Sequence, residues 1–275
     1  MYIDSHSHYA DPRFTDSEIA TILELCYEQK ISLFLQGGIN PTDWNRQLKI
    51  KNKFPEIFLL AFGLHPYFVS ENDRATCDSA MDELATRTHE CVALGETGLD
   101  FREKYLCSGQ SSDSDSNLES SIESQKEKQI TFFENHIALA KLTNLPIVMH
   151  VVQAHDEALR ILKTWDPPER GGFLHAFNGS YETADEYIKM NFLISIGGAV
   201  TYEKNRKLRE AVLKIPLENL LIESDSPDQS PFEWVGLNNS TSLWQIADEI
   251  AKIKEISPQK VLETTTSNFK RLFKM

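Results

Sequence analysis

The chain has 275 residues, 41% of them hydrophobic and 25% charged, the make-up of an ordinary folded protein. At this length roughly three quarters of the unfolded surface can be buried, so neither a disulfide framework nor a structural metal is needed to hold a core. Twenty-eight basic against 41 acidic residues give a formal charge of −13. That excludes holding long duplex nucleic acid by charge alone, but not phosphate-ester hydrolysis, because bound divalent ions reverse a local potential.

Strand-like apolar runs alternate with segments of helical periodicity along the chain. The runs are Tyr2–Asp4, Ile31–Gln36, Phe58–Gly63, Val92–Glu96, Ile147–His150, Gly172–Ala176, Phe192–Gly197 and Leu220–Glu223. Helices are predicted over about 16–29, 42–53, 77–87, 125–144, 154–164, 181–190, 203–214, 241–254 and 258–273. Ser180, ahead of a turn carrying Glu182, and Ser257, ahead of Pro258, are N-cap signals. Eight strands alternating with helices predict an α/β fold, a (β/α)8 TIM-type barrel, in a single domain over 1–275. The competing arrangement is an open doubly wound sheet, but no GxGxxG or GxxxxGK[ST] loop follows any strand.

One segment breaks the rhythm. Residues 107–124, CSGQSSDSDSNLESSIES, are rich in serine and acid and have little to bury. They read as a mobile insertion between the fourth strand and its helix, either plain solvated chain or a lid over the catalytic face. Cys26, Cys77, Cys91 and Cys107 lack CxxC spacing, so free thiols are expected, with Cys26 and Cys91 at buried positions. MYIDSHSH enters a strand without a charged-then-apolar leader, and no apolar stretch approaches 18 residues. The cytoplasm, with no membrane association and no obligate protein partner, is the expectation.

Ionisable groups concentrate at the C-terminal ends of predicted strands, where barrels of this type assemble active sites. The first strand ends in Asp4-Ser5-His6-Ser7-His8; strict alternation puts all three of Asp4, His6 and His8 on one side. The two imidazoles could then bind a divalent ion, with Asp4 orienting one of them from behind. By itself the HxH pair is weak evidence, since two polar residues can simply end a strand. Glu96 closes the fourth strand, His150 the fifth and His175 the sixth, and Asp225 follows the eighth. Six such groups converging on one mouth without a cation would be a costly buried cluster, and metal binding removes that cost.

DSHSH, GLHP, LGETGLDF, LPIVMH, LHAFNGS and LIESDSP, in this order, resemble successive signatures of the TatD-like metal-dependent deoxyribonucleases, a branch of the amidohydrolase superfamily. The resemblance extends from Ile3 to the Asn268-Phe269 region. It implies a TIM-type barrel holding two or three divalent ions and hydrolysis of DNA phosphodiesters, commonly as a 3′-to-5′ exonuclease. It further implies that His6, His8, Glu96 and Asp225 hold a first ion. Glu96 would bridge to a second held by His150 and His175, and His65 of GLHP would contact substrate phosphate.

The sequence departs from the family pattern where the substrate would lie. Val151, Val152 and Gln153 follow His150 in place of a serine-arginine-aspartate stretch, so a bidentate phosphate ligand is missing. Asp228 follows Pro227, and residues 232–240, FEWVGLNNS, lack the basic residues of the family's loop and the glutamate of the asparagine-glutamate-proline turn that ends it. The expected activity is two-metal hydrolysis of a phosphodiester, at a DNA end or in a small substrate. Two divalent ions (Zn, Mn, Mg or Fe) would activate water and Asp225 would take its proton. Phe101, Phe177, Tyr202 and Trp234 are candidates to stack on a terminal base. Hydrolysis of small amides, lactones or other esters is the alternative, and a non-catalytic metal-binding interaction module the third.

Overall fold

Residues 1–107 and 115–275 are described by the structure, a computed structural model. The alternating pattern folds into β1 (Tyr2–Ser7), α1 (Asp16–Glu28), β2 (Ile31–Gln36), α2 (Pro41–Lys53), β3 (Phe58–Phe62), α3 (Pro66–Glu71), α4 (Arg74–Arg87), β4 (Ala93–Asp100) and α5 (Glu103–Leu106). There follow α6 (Asp115–Thr143), β5 (Ile147–Val152), α7 (His155–Trp165), β6 (Gly172–Leu174), α8 (Tyr181–Lys189), β7 (Phe192–Ile196), α9 (Arg206–Lys214), β8 (Leu220–Ile222), α10 (Leu243–Lys254) and α11 (Pro258–Phe273). The strands pair in chain order, each parallel to the next. Asp225 N–H donates to His6 O (3.0 Å) and His8 N–H to Ser226 O (2.7 Å), joining the end of the last strand to the first. This is the expected (β/α)8 barrel; an open doubly wound sheet would carry a strand-order reversal that is absent here.

Two apolar layers hold it. Inside the barrel, each strand contributes a buried residue: Ile3, Leu35, Ala61, Ala93, Val148, Phe173, Leu193 and Leu221, with Phe269 of α11 packed against them. The larger layer, between strands and helices, includes Trp44, Phe58, Phe62, Phe132, Phe133, Ile161, Tyr187 and Ile246. Fully burying a side chain of this size stabilises the fold by about 1.5–3 kcal/mol. Truncating Phe173, fully buried in the inner layer, would leave a cavity costing about 3–5 kcal/mol.

Caps fix where the helices start. Thr15 and Glu18 form a capping box on α1, and Ser180 and Ser257 accept from Thr183 N–H and Lys260 N–H as the sequence suggests. Two short helices, α3 and α5, have no counterpart in the sequence reading because six and four residues are too few to show a 3.6-residue period. The reading of 107–124 as a loop is corrected over 115–124, which form the first turns of α6. The buried later part of that helix, with Phe132, Phe133, Ile137 and Ala140, nucleates it, and extending a helix is far easier than starting one. The remaining part of that insertion, 108–114, lies outside the described residues. All four cysteines are free thiols, with Cys26, Cys77 and Cys91 buried. Among the described residues no helix is long and apolar enough to cross a membrane.

Two strands break the alternation of faces, and both carry residues of the expected metal set, His6 and Glu96. On β1 the register with β2 shifts between Asp4↔Phe34 and Ser7↔Gln36, so three steps on one strand oppose two on the other. On β4 the register with β5 shifts likewise between Leu94↔Ile147 and Thr97↔Met149. Such a bulge re-aims every residue after it. Ile3 and His6, three apart, therefore both face the barrel interior, as do Ala93 and Glu96. β5, β6 and the end of β8 need no bulge, because Val148 and His150, Phe173 and His175, and Leu221 and Asp225 are separated by even numbers.

Candidate metal centre

The bulge in β1 also overturns the expected place of Asp4. It lies on the other face from His6 and His8, buried against the helix layer. Its carboxylate accepts from Ser224 N–H (3.0 Å), Ser224 Oγ (2.6 Å) and Ser240 Oγ. It touches no imidazole and meets only the backbone N–H of His6, at 3.3 Å. Burial pushes its carboxyl up to about 6, the hydrogen bonds notwithstanding. Asp4 thus ties β1 to the chain just ahead of Asp225 rather than orienting a ligand ring.

The other predicted residues converge at the C-terminal mouth. His6 Nε2 and His8 Nε2 are 3.1 Å apart. Glu96 Oε1 lies 3.4 and 3.3 Å from them, and Asp225 Oδ1 3.6 and 3.4 Å. A tetrahedral ion bound at 2.0–2.2 Å requires ligand atoms roughly 3.3–3.6 Å apart, and each of the two carboxylate oxygens stands at about that spacing from both imidazole nitrogens. The second oxygen of Glu96 faces a different group. Oε2 lies 2.8 Å from His175 Nε2 and 3.6 Å from His150 Nδ1, and those two nitrogens are 3.0 Å apart. His65, buried at the start of α3, brings Nε2 to 3.7 Å from the same oxygen. The donor atoms of His65, Glu96 and His150 lie close enough together to hold an ion, as do those of His6, His8 and Glu96 and those of His6, His175 and Asp225.

The local backbone is shaped around these rings. A Cβ on Gly37 would stand 2.4 Å from His6 Cε1 and 2.7 Å from His8 Cε1, so only glycine leaves them room. Asp225 occupies the left-handed region at φ 52 and Ala176, beside His175, at φ 47. Both are uncommon for non-glycine residues and are held by their surroundings.

Electrostatics agree with a cation site. Burial raises the Glu96 carboxyl, but the imidazoles of His175 and His6 outweigh it and hold the group well below the ordinary carboxylate range. Burial lowers the His8 imidazolium, yet the Asp225 hydrogen bond and the Glu96 charge push it up to about 9. Two facing ring nitrogens 3.1 Å apart between two buried carboxylates must share protons or a cation. The nitrogen and oxygen donors suit zinc, manganese or iron.

The carboxylates behind the histidines are the residues that sequence reasoning missed. Asp100 Oδ2 accepts from His150 Nε2 at 3.0 Å, and Arg102 binds both Asp100 oxygens. Glu223 Oε1 lies 3.5 Å from His175 Nδ1 and accepts from Ala176 N–H at 2.6 Å. Gln229 Nε2 donates to Asp225 Oδ2 at 2.6 Å. A signal existed: Asp100 is four residues beyond Glu96 on one strand and Glu223 two before Asp225, spacings that aim them the same way.

Among the stacking candidates, Phe177 is excluded, since it is 2% exposed and packs on His155. Phe101 is half-buried and Tyr202 is exposed. Trp234 is half-buried, its Nε1 donating to Leu237 O at 3.1 Å. Val151 and Val152 extend β5 by pairing with Leu99 and Asp100. Asp228 binds Arg13 through both oxygens at 2.9 and 2.7 Å, clamping the chain after β8 to that after β1.

A parallel eight-stranded barrel with histidines and carboxylates gathered at its C-terminal mouth fits a metal-dependent hydrolase. The family model described as TatD related DNase matches residues 3–274, and the chain belongs to that family. It is 32% identical over 276 residues to YabD of Bacillus subtilis, named an uncharacterized metal-dependent hydrolase, covering all of both chains. It is also 32% identical over 212 residues to the uncharacterized metal-dependent hydrolase YcfH of Escherichia coli, covering 77% of this chain and 72% of that one. The crystal structure of YjjV, a TatD homolog from Escherichia coli, superposes with a TM-score of 0.84 at 25% identity, covering 100% of this chain and 98% of that one.

Proposed function

We propose that the chain hydrolyses phosphodiester bonds of DNA, releasing nucleotides from a 3′ end, with two divalent ions at the barrel mouth. The observation that carries this reading is the orientation of Glu96, whose Oε1 faces His6 and His8 while Oε2 faces His150 and His175. His6, His8, Glu96 and Asp225 would hold one ion, and Glu96, His150 and His175 the other. The chemistry such ions supply when bound is Lewis-acid polarisation of the phosphoryl group and acidification of the attacking water.

The protein's own groups complete the reaction. Asp225, ionised because His8 and the neighbouring imidazoles offset its burial, accepts the proton of the attacking water at its carboxylate. Gln229 keeps that carboxylate in place through Oδ2. His65 takes Tyr67 N–H on Nδ1 at 3.2 Å, which leaves the Nε2 proton to donate to a phosphoryl oxygen. Burial keeps this ring neutral.

One feature favours the second reading, hydrolysis of small amides or lactones: the absence of an arginine after His150, where Val151 and Val152 continue the strand. A turnover screen separates the two. Single-stranded DNA, bis(4-nitrophenyl) phosphate, and a panel of amides and lactones are assayed with Mg, Mn, Zn and Co, alongside elemental analysis. Turnover of DNA and the diester, lost by orders of magnitude in Asp225→Asn protein that still contains metal, is the expected result. Turnover confined to amides or lactones, or an undiminished Asp225→Asn variant, would overturn the assignment.

A further inference from the structure

The end of the barrel opposite the metal centre holds a second polar cavity. It measures about 300 Å3 and opens between the chain ahead of β6, the start of β7 and the end of α11. Arg170, Arg271 and Lys274 line it, with Asn191, Asn219 and a single carboxylate, Glu169. Three cations against one acid make a local positive excess in a chain of net charge −13.

The Arg271 guanidinium and the backbone that carries Arg170 are held in advance of any ligand. Arg170 Nε is buried and has no hydrogen-bond partner among the described residues. A guanidinium N–H left this way is unfavourable unless an acceptor arrives. The backbone nevertheless fixes Arg170 from both sides. Asn191 Nδ2 donates to Glu169 O at 3.2 Å, and Gly171 N–H donates to Pro168 O at 2.8 Å. Gly171 itself sits at φ +64, where a Cβ would stand 2.0 Å from Asn191 O. Across the cavity, Arg271 is anchored by Nη1 to Asn268 Oδ1 (3.0 Å) and Nη2 to Glu218 O (2.7 Å).

We infer that this cavity binds a phosphate-bearing anion, separate from the substrate of the catalytic mouth. Guanidinium donors recognise phosphate oxygens through directed, charge-assisted hydrogen bonds, and Arg170 and Arg271 both line the cavity. The anion would bridge the roots of β6 and β7 to the end of α11. β6 leads at its far end to His175, so the site braces the base of a strand that supplies the metal centre.

The test is phosphate titration calorimetry on the full, metal-loaded chain, comparing the unaltered protein with Arg170→Ala and, separately, Lys274→Ala. The unaltered protein is expected to bind one more phosphate than Arg170→Ala, and Lys274→Ala to bind that phosphate about tenfold more weakly. Turnover of bis(4-nitrophenyl) phosphate stays the same in all three, because neither residue belongs to the catalytic mouth. Adenosine 5′-monophosphate is titrated in parallel. Tighter binding than phosphate at the Arg170-dependent site identifies a nucleotide as occupant, and equal binding identifies the phosphate group alone. The same stoichiometry and affinity in all three proteins would overturn the inference, whatever the outcome of the DNA assays.

Discussion

Asp100 Oδ2 accepts the Nε2 proton of His150 at 3.0 Å while His150 Nδ1 faces His175 Nε2 at 3.0 Å. The carboxylate is fully buried and its charge is secured by Arg102, which with His150 overcomes the upward pull of burial on its pKa. The hydrogen bond fixes both the tautomer and the angle of the ring, the task that carboxylates behind metal-bound imidazoles commonly perform.

Asp100→Asn should therefore lower the affinity for the ion proposed between Glu96, His150 and His175 by about 10–100-fold. Elemental analysis after dialysis would find roughly one ion fewer per chain than in the unaltered protein, with the other retained. Full retention of both would show that His150 is oriented without Asp100.

Gly37→Ala places a methyl group against the His6 and His8 rings, the nearest atoms to it. The rings must move, so turnover and occupancy of the ion they would hold should fall together. The midpoint of thermal unfolding in the metal-free state should change far less. Undiminished metal content in the variant would contradict the placement of these rings as ligands.

Metal binding should release protons. Burial lowers the His8 imidazolium, but Asp225 and Glu96 together push it up to about 9 in the metal-free protein, so below that pH the ring must lose a proton to bind. Apparent affinity should rise with pH up to about 9, by up to tenfold per unit for each proton displaced, and then level off. Calorimetry in buffers of different ionisation heat reads this directly. Binding heats that do not depend on the buffer would count against it.

His136, outside the candidate ligand set, should govern acid stability. Its Nε2 accepts Leu64 N–H at 3.1 Å and its Nδ1 donates to Phe132 O at 2.6 Å, an arrangement possible only for the neutral ring. Burial lowers its pKa from 6.5 to about 4 despite the Phe132 carbonyl. The folded value is below the unfolded one, so the contribution is present above pH 6.5 and lost as pH falls towards 4. Its magnitude is on the order of 3 kcal/mol. Denaturant unfolding between pH 7 and 4 should show this loss reduced in His136→Gln. Identical pH profiles for both proteins would refute the assignment.

The barrel and most of the candidate metal centre could be read from the chain because they depend on local pattern. Eight apolar runs, each followed by a helical period, leave few topologies besides a closed parallel sheet. His150, His175 and Asp225 each end an apolar run at an even spacing from an inward residue, so alternation alone aims them correctly. Asp4 shows where that reasoning stops. Its side is set by a bulge between Asp4 and Ser7, a property of the pairing with β2 that no run of residues in β1 displays. The same holds for Glu96, whose two oxygens serve different histidine pairs only because β4 is bulged against β5. The carboxylates of Asp100 and Glu223, the Arg13 clamp on Asp228 and the cations around Arg170 likewise join residues distant in sequence. Periodicity acts over a few residues and is legible in one segment; register, and contacts between elements far apart, exist only once the strands have paired.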